Sequence, residues 1–281
     1  MHAVSLIVGV LLVFGLGNAA AAPPTRIVSI NICGDLLALT LAPRAHVASV
    51  TFLAADPVWS PRAALAEGVP RNHGNAEEVL RLDPDLVLAG RYTARPTVNL
   101  LKRLGYDVLE FDIAESLEDA RAQIRKAAAA MGVPQAGENM IAELDRSIAS
   151  AGADPEWRRP LAVVYSPNGF TLGPRSLSGS LIDIAGFENL ASRTGILRVG
   201  QLPLEQLLLA EPDLLIVEAE GHHAPAIATQ ILSHPAMRDL RERVSVVEIP
   251  RPLWSCPGPW LADALHHLAA ARAAVRDRSR P

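Results

Sequence analysis

The chain has 281 residues, 49% of them apolar and 20% charged, with a formal net charge of -4 at pH 7. That is enough apolar material for two modest globular units, and it excludes a disordered or fibrous chain. The 26 Lys and Arg are scattered among 30 Asp and Glu, so there is no basic face for a phosphate backbone, and nucleic acid is excluded as a partner.

The first 22 residues stand apart. "AVSLIVGVLLVFGLG" is apolar and uncharged but shorter than the ~20 residues of a comfortable membrane span, and "NAAAAPP" follows with an Ala-x-Ala site. Ala19 and Ala21 are the expected small pair, because a cut after Ala22 would place Pro23 across the scissile bond. Residues 1–22 therefore read as a cleavable signal peptide and the mature protein as periplasmic. An uncleaved signal anchor is the alternative, since only the terminal amine and His2 stand where Lys or Arg is usual. An oxidising compartment permits a disulfide between Cys33 and Cys256, provided that their Cα atoms come within about 7 Å; two free buried thiols are the other reading.

"RIVSINI" (26–32) predicts a buried strand and "GDLLALTLAP" (34–43) a helix that Pro43 stops. "HVASVTF" (46–52) is a second strand, followed by a loop bearing Trp59. Asn75 with Glu78 fits a capping box, so a helix starts there and runs to Leu82, before Pro84 forces the chain out of helical geometry. "DLVLAG" is a strand, "RPTVNLLKRLG" (95–105) an amphipathic helix closed by Gly105, and "DVLEF" (107–111) another strand. This alternation predicts a parallel sheet covered on both faces.

From Ser116 the chain turns helical. Pro134 divides this stretch, and its second segment is long enough to span roughly 25 Å at 1.5 Å per residue. Then the first plan restarts. "LAVVYS" (161–166) is a strand, "PNGFTLGPRSLSG" a glycine-bearing loop and "SLIDIAGFENL" (180–190) a helix ending near Gly186. Pro203 suits a first helical position, "LLIVEA" is a strand, "PAIATQILS" a helix, "VSVVEI" (244–249) a strand and "LADALHHLAAARAAV" the closing helix.

Two segments share one frame. "AEEVLRLDPDLVLAG" (76–90) and "LEQLLLAEPDLLIVEA" (204–219) place Glu77 and Glu205, Pro84 and Pro212, Asp85 and Asp213 at the same offset of 128 positions. The expected fold is therefore α/β: two similar lobes, each a mainly parallel sheet flanked by helices, joined by a long connecting helix. The N-terminal lobe covers 23–115, the helical connector 116–157 and the C-terminal lobe 158–281.

Catalytic signatures are missing from this frame. "GLGNAA" at Gly15 has glycine spacing but lies in the leader, no Walker lysine follows a glycine-rich loop, and Ser166, Ser176, Ser178 and Ser180 have no patterned base. The adjacent pairs His222 and His223, His266 and His267 diverge by about 100° on a helix, so no catalytic residue, metal site or cofactor is expected. His73, beside the first repeat helix, is the least certain of these histidines. The few aromatics are more informative, because Trp59, Tyr92, Phe170, Trp254 and Trp260 fall in loops or at element ends, where aromatic faces line ligand sites. For Phe170 and Trp260 a place in a lobe core is equally compatible.

With its leader, doubled lobes and helical connector, the chain resembles the helical-backbone (class III) solute-binding proteins of ABC importers, the family that includes periplasmic binding proteins for vitamin B12, ferric siderophores and haem. "RIVSINICGDLLALTLAP", "GNAEEVLRLDPDLVLAG", "LPLEQLLLAEPDLLIVEA" and "RPLWSCPGPW" carry the resemblance, which covers residues 25–275. It implies a monomeric, non-enzymatic receptor that holds a metal chelate between its lobes and docks to the importer's permease subunits through one glutamate per lobe. The matching positions are Glu77 and Glu205; a helix-dipole preference of about 0.3–1 kcal/mol for a carboxylate in a first turn explains them equally well.

The residues matching the family's cleft are Trp59, Tyr92, Trp254, Phe170, Arg91 and Arg175, with Arg62, Arg95 and Arg251 nearby. Aromatic faces suit a corrinoid such as vitamin B12, arginines an anionic ferric siderophore. A haem receptor of the same fold, or an exported α/β enzyme without a recognised motif, is the alternative. Cys33 and Cys256 match no general pattern of the family, but this reading places both at cleft-side loop ends, where they would bridge the lobes.

Overall fold

The computed structural model describes residues 22–150, 157–218 and 227–279. The expected leader, apart from Ala22, and the pair His222 and His223 lie outside the described residues.

The N-terminal lobe runs β1 (Ile27–Ser29), α1 (Ile32–Leu41), β2 (Val47–Thr51), β3 (Arg71–Asn72), α2 (Ala76–Arg81), β4 (Leu86–Gly90), α3 (Arg95–Arg103) and β5 (Val108–Phe111). Its strands form a parallel sheet in the order β3-β2-β1-β4-β5. β4 is buried along its whole length, which is why it reads as an unbroken aliphatic run.

Two helices follow, α4 (Leu117–Ala130) and α5 (Pro134–Ser150). The C-terminal lobe then runs β6 (Leu161–Val164), β7 (Phe170–Leu172), α6 (Leu177–Ile184), β8 (Glu188–Asn189), α7 (Leu190–Arg193), β9 (Val199–Gln201), α8 (Leu204–Ala210), β10 (Leu214–Glu218), α9 (Pro235–Arg243), β11 (Ser245–Ile249) and α10 (Leu261–Arg278). Its parallel sheet has the order β11-β10-β6-β8, and β7 pairs antiparallel with β9. With β6 in the place of β1, β8 of β2, β10 of β4 and β11 of β5, the two sheets have one topology.

The doubled frame is the device that clamps one strand to its neighbour. Asp83 and Glu211, each just before the repeat proline, adopt left-handed φ angles of 42° and 45° and end their helices. Two residues on, Asp85 accepts hydrogen bonds from the backbone N–H groups of Thr25 (2.7 Å) and Arg26 (2.9 Å), while Asp213 accepts from Leu161 N–H (2.7 Å) and from Arg158. Each carboxylate thus fixes the chain at the entrance of the sheet's first strand. Burial opposes ionisation at both, but the hydrogen bonds prevail and hold both carboxyls below the usual range.

The connector splits at Pro134 as expected and packs back on itself as a pair. Gly132 makes the turn at φ 72°, and Gly137 permits the close approach, since a Cβ there would stand 2.5 Å from Ala128 Cβ. Arg121 to Asp145 (2.7 Å) and Arg125 to Glu138 (2.8 Å) tie the pair. Each helix also straddles the lobes: Ile124, Ala127, Met140 and Ile141 join the N-terminal core, while Leu117, Ala120 and Leu144 join the core of α6, β6, β10 and α10.

Several local expectations change. Asn75 is the N-cap of α2 without a capping hydrogen bond from its side chain; Glu78 instead accepts from His73 N–H at 2.7 Å. α6 starts three residues earlier than expected, with Ser176 capping Gly179 N–H, so part of the supposed loop is helical. Ile227–Ser233 is a 3-10 turn rather than an α-helix, consistent with β-branched Ile227, Thr229 and Ile231 at every second position. β3, β7, β8 and β9 have two or three residues each, too few to show a period.

Candidate ligand cleft

In an open parallel sheet, ligands bind beyond the carboxyl ends of the strands. Here those ends carry Phe52 after β2, His73 after β3, Arg91 and Tyr92 after β4, and Ile113 after β5, and the C-terminal lobe contributes Phe170 and Val199 of the antiparallel β7–β9 pair and Arg251 after β11. Phe52, Tyr92, Ile113, Phe170 and Val199 are exposed, Tyr92 at 73%, so much of the large apolar surface left open gathers here.

Contacts between the lobes define the cleft. Arg251 lies over the Trp59 ring at 5.4 Å and is held there by Glu218, which accepts from its Nε (3.1 Å) and Nη2 (2.5 Å). Arg198 Nε donates to Glu115 at 2.5 Å and Arg175 forms an ion pair with it at 3.2 Å, and the pairing with Arg198 holds the Glu115 carboxyl below its usual range. At the cleft floor Cys33, in the first turn of α1, is joined to Cys256, just before α10, by a disulfide with a Cα separation of 5.2 Å. The bridge between lobes is thus formed, and the two free thiols are not.

The expected cleft residues divide into three groups. Trp59 is half-buried beneath Arg251, and Tyr92 and Phe170 stand open on opposite lobes. Arg91 pairs with Asp112, and Arg175 with Glu115. Trp254 is a correction: it is 1% exposed and packs with Leu36, Leu177 and Trp260 in the core between the lobes, so it offers no face to a ligand. It follows a loop-rich "RPL" but docks inward, because the disulfide two residues on pulls its segment onto the ends of α1 and α6. Trp260 is likewise core, its Nε1 donating to Cys256 O at 2.7 Å.

Of the other expected arginines, Arg95 pairs with Glu110, which Lys102 also reaches, and Arg251 with Glu218, while Arg62 is exposed, so carboxylates of the chain itself balance only part of the cleft's cationic charge. Sequence reasoning missed Glu115, Glu218, Arg198 and the stack of Phe52 on His73, whose ring centroids are 5.1 Å apart. The available signal was position: Glu115 and Glu218 lie within four residues of a strand's carboxyl end. Among the described residues no group of three or more His, Cys, Asp or Glu could hold a metal ion, and no helix is long and apolar enough to cross a membrane.

Glu77 and Glu205 are exposed in the first turns of α2 and α8. Each helix precedes its strand and runs antiparallel to it, so both glutamates lie toward the sheets' carboxyl edges, the cleft side. Glu205 is close enough to Tyr165, after β6, for its charge to reinforce burial in raising the phenol above its usual range. Two hollows are lined by other residues, the first beside the Glu115 and Arg175 pair. One of about 650 Å³ lies between the start of α4 and α6, and one of about 770 Å³ beside Asp85 at the opposite strand ends.

Two lobes of one topology, facing each other across open aromatic residues and joined by a helix pair, define a ligand-binding protein of the helical-backbone type. Residues 27–241 match the family described as Periplasmic binding protein. The chain belongs to that family, whose place is the periplasm and whose members bind ligands rather than catalyse reactions. A cobalamin-binding protein of Halobacterium salinarum is 29% identical over 215 residues, covering 75% of this chain, which spans 58% of that relative's length. Among solved structures, the apo periplasmic heme-binding protein RhuT from Roseiflexus sp. RS-1 superposes with a TM-score of 0.73 at 24% identity, covering 89% of this chain and 98% of that one. The periplasmic vitamin B12 binding protein BtuF of Vibrio cholerae gives 0.68 at 16% identity, covering 90% and 98%.

Proposed function

We propose that this protein, exported by a leader over residues 1–22, is the monomeric capture component of an ABC importer and holds a corrinoid in the cleft between its lobes. The observation that carries this reading is the pairing of open aromatic faces with arginines that carboxylates of the chain itself engage. A corrinoid presents a broad apolar plane and an amide periphery, which suits exposed Tyr92 and Phe170 and half-buried Trp59 together with hydrogen bonds from Arg91 and Arg175, which Asp112 and Glu115 hold in place. A polyanionic siderophore would need more cationic charge than Arg62 and the single net positive charge of the Arg175, Arg198 and Glu115 group supply, so it fits less well. The relationship to a cobalamin-binding protein supports the same choice.

Glu77 and Glu205 are the permease contacts in this reading, as exposed carboxylates on equivalent helices at the cleft side of each lobe. Thermal denaturation with cyanocobalamin, hemin and a ferric hydroxamate tests the assignment. Cyanocobalamin at 100 times its dissociation constant should add about 2.7 kcal/mol to the stability. Stabilisation by hemin or the hydroxamate without any by cyanocobalamin overturns it.

A further inference from the structure

Glu115 lies between β5 and α4, where the chain leaves the N-terminal sheet, and both its partners, Arg175 and Arg198, belong to the C-terminal lobe. The two arginines are brought together by backbone hydrogen bonds: Arg175 N–H donates to Leu197 O at 2.7 Å and Gly173 N–H to Arg198 O at 2.5 Å. Gly173 is required for this approach, because a Cβ would stand 2.3 Å from Ile196 O. Glu115 is equally fixed, since its own N–H donates to Asp119 in the first turn of α4. A preorganised pair of cations thus meets one carboxylate of the segment that joins the lobes, leaving one net positive charge.

We propose that Glu115 tunes the charge class of the ligand: by engaging Arg175 and Arg198 it leaves one net positive charge where there would be two and weakens the binding of chelates that carry free carboxylates. This deepens the reading of the cleft as a corrinoid site and rests on it. A carboxylate-bearing chelate must either sit against Glu115, like charge on like charge, or displace it and leave it unpaired. Both outcomes are repulsive elements that raise no barrier to an amide-edged ligand. Without the Glu115 charge, the same arginines form a two-pronged carboxylate site of the kind that bidentate guanidinium pairing favours.

Fluorescence or absorbance titrations of wild type, E115Q, E115D and E115Q/R198Q with hemin, whose two propionates are ionised, and with cyanocobalamin test this. The expected result is that E115Q gains roughly tenfold or more in hemin affinity relative to any change for cyanocobalamin. The gain should fade at high salt, be absent in E115D and be lost in E115Q/R198Q. Equal changes for both probes, or a hemin gain that E115D shares, overturn the proposal. Binding of cyanocobalamin by the wild type tests the corrinoid reading separately, because the hemin ratio between variant and wild type is readable whether or not cyanocobalamin binds.

Discussion

The two lobes use one backbone plan and stabilise it differently. In the N-terminal copy of the repeat, Asp85 is exposed and holds Thr25 and Arg26 through backbone and hydroxyl hydrogen bonds alone. In the C-terminal copy, Asp213 is more buried and adds two hydrogen bonds from the Arg158 guanidinium, at 3.0 and 2.8 Å. The first helices differ in the same way. α1 and α6 align as "NICGDLLAL" and "SLSGSLIDI" from their capping residues Asn31 and Ser176. Where α1 has Asp35, buried and bonded to Thr51 N–H (3.1 Å) and Oγ1 (2.5 Å), α6 has Ser180. Where α1 has Cys33, bridged to Cys256, α6 has Ser178, which donates to Trp254 O at 3.4 Å. Both helix starts therefore meet the segment 254–256, one covalently and one by a hydrogen bond. Duplication preserved the backbone geometry, and each copy acquired its own side-chain chemistry.

The largest test removes the asymmetry at that junction. Replacing Cys33 and Cys256 together with serine should lower unfolding stability by about 3–5 kcal/mol, as their bridge spans 223 positions. Urea denaturation reads it, and a single transition that splits in two would show that the bridge couples the lobes.

Asp35 confines a pH dependence to the N-terminal lobe. Burial raises its carboxyl from 3.8 to about 6 against the hydrogen bonds of Thr51 and Ser29. The folded protein therefore keeps a proton that the unfolded chain releases, so the contribution of Asp35 to stability is complete below about pH 4 and lost as pH rises through about 6. The loss is on the order of 3 kcal/mol. Asp35→Asn should flatten this term, and the difference between variant and wild type across that window isolates it from the carboxylates that titrate the opposite way.

The strand clamps should rank by their reinforcement. Asp213→Ala should cost about 2–3 kcal/mol, since it strands Arg158 and the Leu161 N–H, and Asp85→Ala about 1–2 kcal/mol. Equal losses would mean that the Arg158 pair adds nothing. The smallest effect is Glu211→Gly, which relieves a left-handed φ of 45° and should stabilise by about 0.5–1 kcal/mol in thermal denaturation.

The repeated Glu, Pro and Asp, the aliphatic runs and the proline at 134 were enough to locate the lobes and the connector, because those features are local: periodicity, helix-breaking geometry and buried strand composition all act within a few residues. Tyr92 was legible as a site candidate for the same reason, an aromatic residue in a loop where no strand would bury it, whereas Phe170 opens the short strand β7 and stays exposed on it. Trp254 looked identical on that criterion and lies in the core, since its burial depends on Cys33, 221 positions away in the chain. Pairings such as Arg198 with Glu115 and Arg251 with Trp59 leave no sequence signal at all. Local patterns of apolar spacing and backbone restriction determined which elements form; the folding of α4 and α5 across both lobes decided which of their ends meet, and with them the charge and shape of the cleft.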